Sequence, residues 1–332
     1  MEEAGRTPKI GRKSLLLLVL GIALMIPLLA TFDLSEAVSS LRTIGIVPVV
    51  LSFFSIHVGV LFYNLGWYIL LDRRASFMDV FLIGWTSLFI NLLIPAGSAT
   101  GEVARAYLIN RKSKVPMGHA VSTIVAHRVV MIIPFVVSIV LGFSYLVGSS
   151  GVGHSTLTTI FLAMGLLIVT FYLIYRVSMD ESSLLRLISF FERKFRRDLG
   201  KIKEMVSEYS RAFRELMRNR RALGLSLLCA FLNWFFDMLP IFIYFYALGY
   251  WIDPLMGILI YSVSIIMVLI PIGIPGNTGV REWVMTGLLS AMGFSKGDAL
   301  AITLVSSTIT VFLNELVFGF IAYLLVLQGM SK

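Results

Sequence analysis

Pro271-Ile-Gly-Ile-Pro-Gly-Asn-Thr-Gly279-Val-Arg-Glu282 places two prolines and three glycines between two apolar segments. Proline removes a backbone donor and clashes with the preceding turn, and glycine favours turns, so no helix runs through this stretch. Upstream lies an apolar span, Pro254–Ile274. Downstream, Gly279–Met292 is helix-like but covers only about 20 Å at helical rise, short of the ~30 Å of a bilayer core. Broken backbone is tolerated at membrane depth only where protein buries it or a cavity hydrates it. The reading is a re-entrant hairpin over 254–292, in which a span enters, breaks, and returns as a short helix.

The same form occurs earlier in the chain. The span Phe77–Ile94 runs into Pro95-Ala-Gly-Ser-Ala-Thr-Gly101, and a short helix follows at Thr100–Lys112, which makes a hairpin over 77–112. Pro95 to Glu102 has the spacing of Pro275 to Glu282. A second register pairs Leu93-Ile-Pro-Ala-Gly97 with Leu269-Ile-Pro-Ile-Gly273; the glutamate spacing favours the first. The backbone positions that this repeat singles out are Pro95, Gly97, Gly101, Pro275, Gly276 and Gly279.

Composition agrees with a chain that lives in lipid. Of 332 residues 58% are hydrophobic and 14% charged, and the mean hydropathy is +0.88; soluble domains carry about 25% charged residues. Further spans read as Ser14–Thr31, Ile44–Leu71, Met117–Val147, Thr156–Tyr175, Ala222–Leu248 and Ala299–Leu327. The fold class is therefore all-α: a polytopic integral membrane protein with about six crossings and two re-entrant broken-helix hairpins in an inverted repeat. It forms a single membrane domain over 1–332, with halves at 14–178 and 222–328. The basic N-terminal segment with its first apolar run reads as a signal anchor. With both termini cytoplasmic, all Lys and Arg lie on the cytoplasmic side except Arg42 and Lys296 outside and Arg105, Arg128 and Arg281 within the bilayer. That asymmetry is the positive-inside pattern. The first hairpin then opens from the cytoplasm and the second from the outside, an inverted arrangement used by alternating-access transporters. The expected location is the cell membrane.

A net charge of +9 and a pI near 9.7 raise nucleic acid as a partner, but the basic residues flank apolar spans and suit anionic lipid heads instead. No nucleic-acid partner is expected; self-association into a homo-oligomer is left open. The polar insert 180–221 repeats apolar residues every three or four positions from Leu184 to Leu216, an amphipathic pattern interrupted at Gly200. It reads either as a surface helix on the inner leaflet or as a helix packed beneath the bundle.

Ionisable groups inside a bilayer cost kilocalories and face cavities or partners. The candidates for a substrate path are Glu102, Arg105, Arg128, Asp237, Arg281, Glu282 and Glu315, with Asp79 and His127 as weaker members. Arginine's planar fork suits phosphate oxygens, and the glutamates suit helix N-termini, gating or a cationic head. The bland alternative is that these charges pair with one another and knit the helices. Catalytic readings are thin. Gly148-Ser-Ser-Gly151 with His154 matches a rhomboid-like string in a loop, and Ser295 stands where the first glycine of an intramembrane aspartyl-protease motif is needed. No Walker lysine follows the glycine-rich turns. The single cysteine, Cys229, and four unpaired-in-sequence histidines build no metal site. No cofactor is expected.

Pro95…Gly101-Glu102…Arg105, a basic loop, and Arg128 in the next span resemble the first half of the transmembrane domain of lysylphosphatidylglycerol synthetases, the flippase-like family. Pro275-Gly-Asn-Thr-Gly279-Val-Arg-Glu282, a short helix and Gly293 resemble that family's Pro-Gly-x-x-Gly-x-x-Glu element. The resemblance spans about residues 14–328. It implies movement of an aminoacylated phospholipid or polyprenyl-linked lipid between leaflets, with Glu102, Arg105, Arg128, Gly279 and Glu282 as the carried-over residues. Two departures touch head-group preference. His127 stands where the family often has Glu, and Val305-Ser-Ser-Thr-Ile-Thr310 stands where it usually has a further Arg. The soluble synthetase domain is absent from this sequence, so the chain is not expected to make the aminoacyl lipid. The expected function is a lipid translocase and not an enzyme. The alternatives are an intramembrane enzyme acting on a lipid-linked phosphate and an ion-coupled transporter of a small soluble solute.

Overall fold

The computed structural model describes residues 23–32, 34–94, 99–149, 154–195, 198–269 and 274–330. Pro95, Gly97, Pro271, Ser150, Gly151 and the first part of the Ser14–Thr31 span lie outside these. Every regular element among the described residues is helical. The elements are α1 (Ala23–Thr31), α2 (Leu34–Ile44), α3 (Ile46–Leu70), α4 (Phe77–Leu93), α5 (Ala99–Ser113), α6 (Met117–Ser149) and α7 (His154–Met179). Then follow α8 (Glu181–Phe195), α9 (Gly200–Arg218), α10 (Arg220–Ala247), α11 (Pro254–Leu269), α12 (Val280–Ala291), α13 (Lys296–Thr303) and α14 (Leu313–Met330). A wide-turned π segment, Leu304–Phe312, makes α13 and α14 one run. Among the described residues, four stretches are long and apolar enough to cross a membrane: Ile46–Leu70, Met117–Tyr145, Arg220–Ala247 and the run Lys296–Met330. This is an all-α integral membrane fold.

Helix ends fall within a few residues of expectation, with one addition. The short segment before the second span is itself a helix, α2, separated from α3 by Gly45 at φ 67°. Its Ala37 packs with Leu28, Leu300 and Ala301. Glu36 accepts from the Gly297 N–H at 3.0 Å, and Ser40 donates to Asp298 at 2.6 Å. A short polar stretch is helical here because the N-terminus of α13 supplies partners for its side chains.

The first hairpin is closed at both ends. At the tip, the Asn91 amide oxygen of α4 accepts from the Gly101 N–H at 2.6 Å and from the Thr100 hydroxyl at 3.1 Å. It thereby satisfies one of the orphan donors at the start of α5. At the base, Lys112 pairs with Asp79 at 2.9 Å, and the Asp79 N–H is capped by Ser76 at 3.1 Å. In the second hairpin the roles reverse. The Asn277 amide, in the turn, donates to the Met267 carbonyl near the end of α11, where α-helical carbonyls lack partners. Gly276 (φ 61°) and Gly279 (φ 85°) hold the turn in left-handed conformations open to glycine.

The chain forms two compact units that interleave in sequence. One holds the described residues of Met1–Ile56, Trp85–Ala104 and Met238–Leu324; the other holds His57–Gly84, Arg105–Asp237 and Leu325–Lys332. In the first, Ile44, Tyr244 and Val305 form a core. In the second, Leu70, Ala126, Phe213 and Ala222 bury against one another. Close helix approach in this second unit depends on Gly84. A Cβ there would stand 1.7 Å from the Asn64 amide oxygen, and Asn64 is fully buried with its amide donating to the Val60 carbonyl at 2.9 Å. Gly84→Val is therefore expected to cost about 1–3 kcal/mol or more by overpacking. Gly224→Val, with open space around it, should cost no more than the ordinary surface change. Thermal unfolding of the two variants in the same detergent checks the contrast.

Candidate functional site

Each of the two units holds a buried charged cluster. The first centres on Arg105 of α5, which is completely buried. Its Nη1 donates to the Tyr63 hydroxyl at 2.8 Å, and its Nη2 lies 3.5 Å from His127 Nδ1. The guanidinium carbon sits 4.0 Å from the centre of the Trp67 ring and 5.1 Å from that of Tyr63. Tyr63 and Trp67 are one turn apart on α3 and so share a face. The Trp67 indole N–H is anchored on Thr123 at 3.2 Å, and the Tyr63 and His127 rings meet edge to face at 4.7 Å. For Nδ1 of His127 to accept from Arg105, the ring proton must sit on Nε2. Three of the groups that hold this cation are thus neutral: a phenol, an imidazole and an indole face. Aromatic faces favour a cation without neutralising it, and a desolvated contact of this kind is worth about 2 kcal/mol. Arg128, half-buried, follows His127 on α6 and adds a second positive charge nearby.

The second cluster is built around Glu282, 1% exposed. Its carboxylate accepts from the Gly279 N–H at 2.6 Å, from the Ser307 hydroxyl at 2.7 Å and from Arg281 Nη2 at 3.2 Å. The first of these caps α12, and a carboxylate is favoured at a helix N-terminus. Arg281, also buried, donates its Nη2 to the Ser307 carbonyl at 2.9 Å. That carbonyl lies in the π segment, where the ladder is looser; π segments often mark functional positions. Seven residues beyond, Asn314 is fully buried with neither amide atom hydrogen-bonded, and Glu315 follows it.

Arg281 and Glu282 are therefore brought into direct contact, and Arg105 is joined to His127. Asp237, half-buried on α10, accepts from Asn233 at 2.8 Å. It lies against Gly59 of α3, where a Cβ would stand 2.3 Å from its Oδ1. Glu102 is half-buried in the first turn of α5. Asp79 belongs to the base of its hairpin through Lys112. Gly101 is packed so tightly against Asn91 and the Ser87 carbonyl that a Cβ would approach each to 2.5 Å. Pro275 and Gly276 form the short turn before α12. Among the described residues no three His, Cys, Asp or Glu side chains converge as metal ligands.

The sequence pattern does not single out Tyr63, Trp67, Asn91 or Ser307, whereas Asn314 stands out beside Glu315 in the middle of the last span. Tyr63 and Trp67 offer one clue, their spacing of four on the span before the hairpin. Ser307 sits in the Ser/Thr-rich run 306–310, unusual within an apolar helix.

The sequence matches, over residues 14–317, the family described as Lysylphosphatidylglycerol synthase TM region. It is 26% identical over 325 residues to the UPF0104 membrane protein PH1989 of Pyrococcus horikoshii, covering 92% of this chain and 96% of that protein. It is 25% identical over 329 residues to the UPF0104 membrane protein MJ1595 of Methanocaldococcus jannaschii, covering 96% and 97%. A UPF0104 membrane protein of Methanothermobacter thermautotrophicus is 24% identical over 311 residues, covering 90% and 91%.

Proposed function

We propose, from the premise that this chain belongs to the family of the lysylphosphatidylglycerol synthase transmembrane region, that it is a translocase moving an anionic lipid head group across the membrane. The observation that carries this reading is the Arg105 cluster. A guanidinium is buried among aromatic rings on the helix of a broken hairpin, stacked on Trp67 and hydrogen-bonded to Tyr63, with Arg128 adding a second positive charge nearby. Such a group binds phosphate through its planar fork. The lipid's tails stay in hydrocarbon while the head passes polar groups, so the chain need supply only the polar seam.

Three further features support the reading. Both broken hairpins have a polar seal and a short returning helix. α5 begins four residues after Pro95 and α12 five after Pro275, in keeping with the register that pairs Glu102 with Glu282 and with an inverted repeat. The distribution of Lys and Arg favours both termini in the cytoplasm of a cell-membrane protein. We read the chain as a carrier and not a catalyst. Ser307 and Glu282 are a serine and a carboxylate in contact, but Glu282 is engaged by the Gly279 N–H and Arg281 and is poorly placed to act as a base.

Reconstitution in liposomes tests this against the alternatives. Fluorescent phospholipids and polyprenyl phosphates are placed in both leaflets, and the protected inner fraction is followed after addition of a membrane-impermeant quencher. Loss of protection for one lipid class, with the lipid chemically unchanged, supports translocation. Conversion of the lipid-linked phosphate would establish the enzyme reading. Release of a trapped polar solute without lipid movement would establish a soluble-solute transporter.

A further inference from the structure

The insert that follows α7 divides into two helices with opposite surroundings. α9 is turned inward. Its Phe213 is fully buried with Leu70, Ala126 and Ala222, Tyr209 donates to Ser178 at 2.5 Å, and Glu208 accepts from the Gly118 N–H at 3.2 Å. α8 meets α9 along one edge. There Glu181 pairs with Arg214 at 3.0 Å and Glu192 pairs with Lys203. Both acidic side chains of α8 are therefore neutralised on the α9 side, and both carboxyls are held below their ordinary range by these basic partners.

The opposite edge is apolar and basic. Leu187, Phe190 and Phe191 are 53%, 51% and 41% exposed, and their spacing of three and four places them on one face. Arg186, Arg193 and Lys194 are exposed beside them. Lys194 Nζ lies 5.9 Å from the Phe190 ring centre, and Arg186 lies 4.0 Å from Asp180. Asp180 also fixes where the helix begins. It caps α8 by accepting from the Ser182 N–H at 3.1 Å and the Ser182 hydroxyl at 2.7 Å, a single residue after the apolar 26-residue α7 ends. An amphipathic helix that starts where an apolar helix stops lies at the lipid–water boundary. Aromatic and leucine side chains flanked by Lys and Arg are what such a helix presents to anionic lipid.

We propose that α8 docks on an anionic phospholipid leaflet, with Leu187, Phe190 and Phe191 at the acyl boundary and Arg186, Arg193 and Lys194 on lipid phosphates. Charge complementarity selects this occupant, because the acids of α8 face α9 and its bases face outward. The full-length protein, with Cys229→Ala and Phe190→Cys, is labelled with an environment-sensitive fluorophore and reconstituted in vesicles of phosphatidylcholine alone or with one-third phosphatidylglycerol. A second label position, Leu187→Cys, guards against a variant that fails to fold. Quenching by brominated lipid is expected to be roughly twofold stronger in the anionic vesicles, and to fall to the neutral-vesicle level in high salt and in Arg193→Glu/Lys194→Glu. Equal iodide quenching in both vesicle types would place α8 in water and overturn the proposal. Protection that ignores lipid charge and disappears as protein is diluted into excess lipid would assign the face to a second copy of the chain, and would overturn it equally.

Discussion

Glu282→Ala is expected to be strongly destabilising, costing about 3–5 kcal/mol. The carboxylate is buried and holds three donors at once: the Gly279 N–H at the start of α12, the Ser307 hydroxyl of the π segment, and Arg281. Removing it leaves a buried guanidinium without this counter-charge, a cost far larger than that of an exposed pair. It also removes a helix cap worth about 1 kcal/mol. Glu282→Gln should be milder, since glutamine still accepts from Gly279 in a capping box, and the difference between the two variants isolates the charge. Thermal unfolding and size-exclusion profiles in detergent measure both. Glu282→Ala melting within a degree or two of wild type would mean that the Arg281–Glu282 pair does not hold the second hairpin.

Substitution of Arg105 is expected to remove transport while sparing the fold more than Glu282→Ala does. Arg105→Lys keeps a charge but loses the planar fork, the stacking on Trp67 and the reach to both Tyr63 and His127. A charge-assisted hydrogen bond is worth about 1.5–3 kcal/mol, so the rate should fall at least about tenfold. Trp67→Leu should reduce it less, because the phenol and imidazole contacts remain. His127→Glu tests the same point from the other side. A carboxylate next to Arg105 would compete with phosphate for the guanidinium, so transport of anionic lipids should drop relative to zwitterionic ones. Initial rates of lipid movement in liposomes, normalised to protein incorporated, give all three comparisons. An Arg105→Lys protein that transports at the wild-type rate would remove Arg105 from the path.

Much of this architecture is legible in the amino-acid sequence. The clustered prolines and glycines around Pro275 and Pro95 disfavour continuous helix, and the helices after them are too short to span a bilayer, which is why breaks followed by short helices are readable there. The intramembrane charges are equally visible, because each is an exception in an apolar segment. Other features are not. Asn91 and Asn277 seal their hairpins in opposite ways, one capping the returning helix and the other satisfying a carbonyl of the entering helix, and a lone asparagine has many partners open to it in sequence. Tyr63 and Trp67 read equally well as interfacial aromatics; only the packing of α5 and α6 against α3 turns them toward Arg105. The π segment depends on side chains distant in sequence. Thr310 bonds the Val305 carbonyl at 2.7 Å and meets the Tyr244 hydroxyl, which no local pattern announces. Of the insert's two readings, the packed helix describes α9, whose Phe213 is buried, while α8 leaves Leu187 and Phe190 exposed.

The central claim is that a lipid head group moves past these buried charges. The most direct test compares wild type, Arg105→Lys and Glu282→Gln in one liposome assay, each shown folded by its melting temperature, using labelled phosphatidylglycerol and polyprenyl phosphate. Wild type is expected to move at least one of these lipids faster than protein-free liposomes do, and both variants are expected to lose most of that rate. Wild-type liposomes no faster than empty ones for either lipid, or variants as fast as wild type, would contradict the claim.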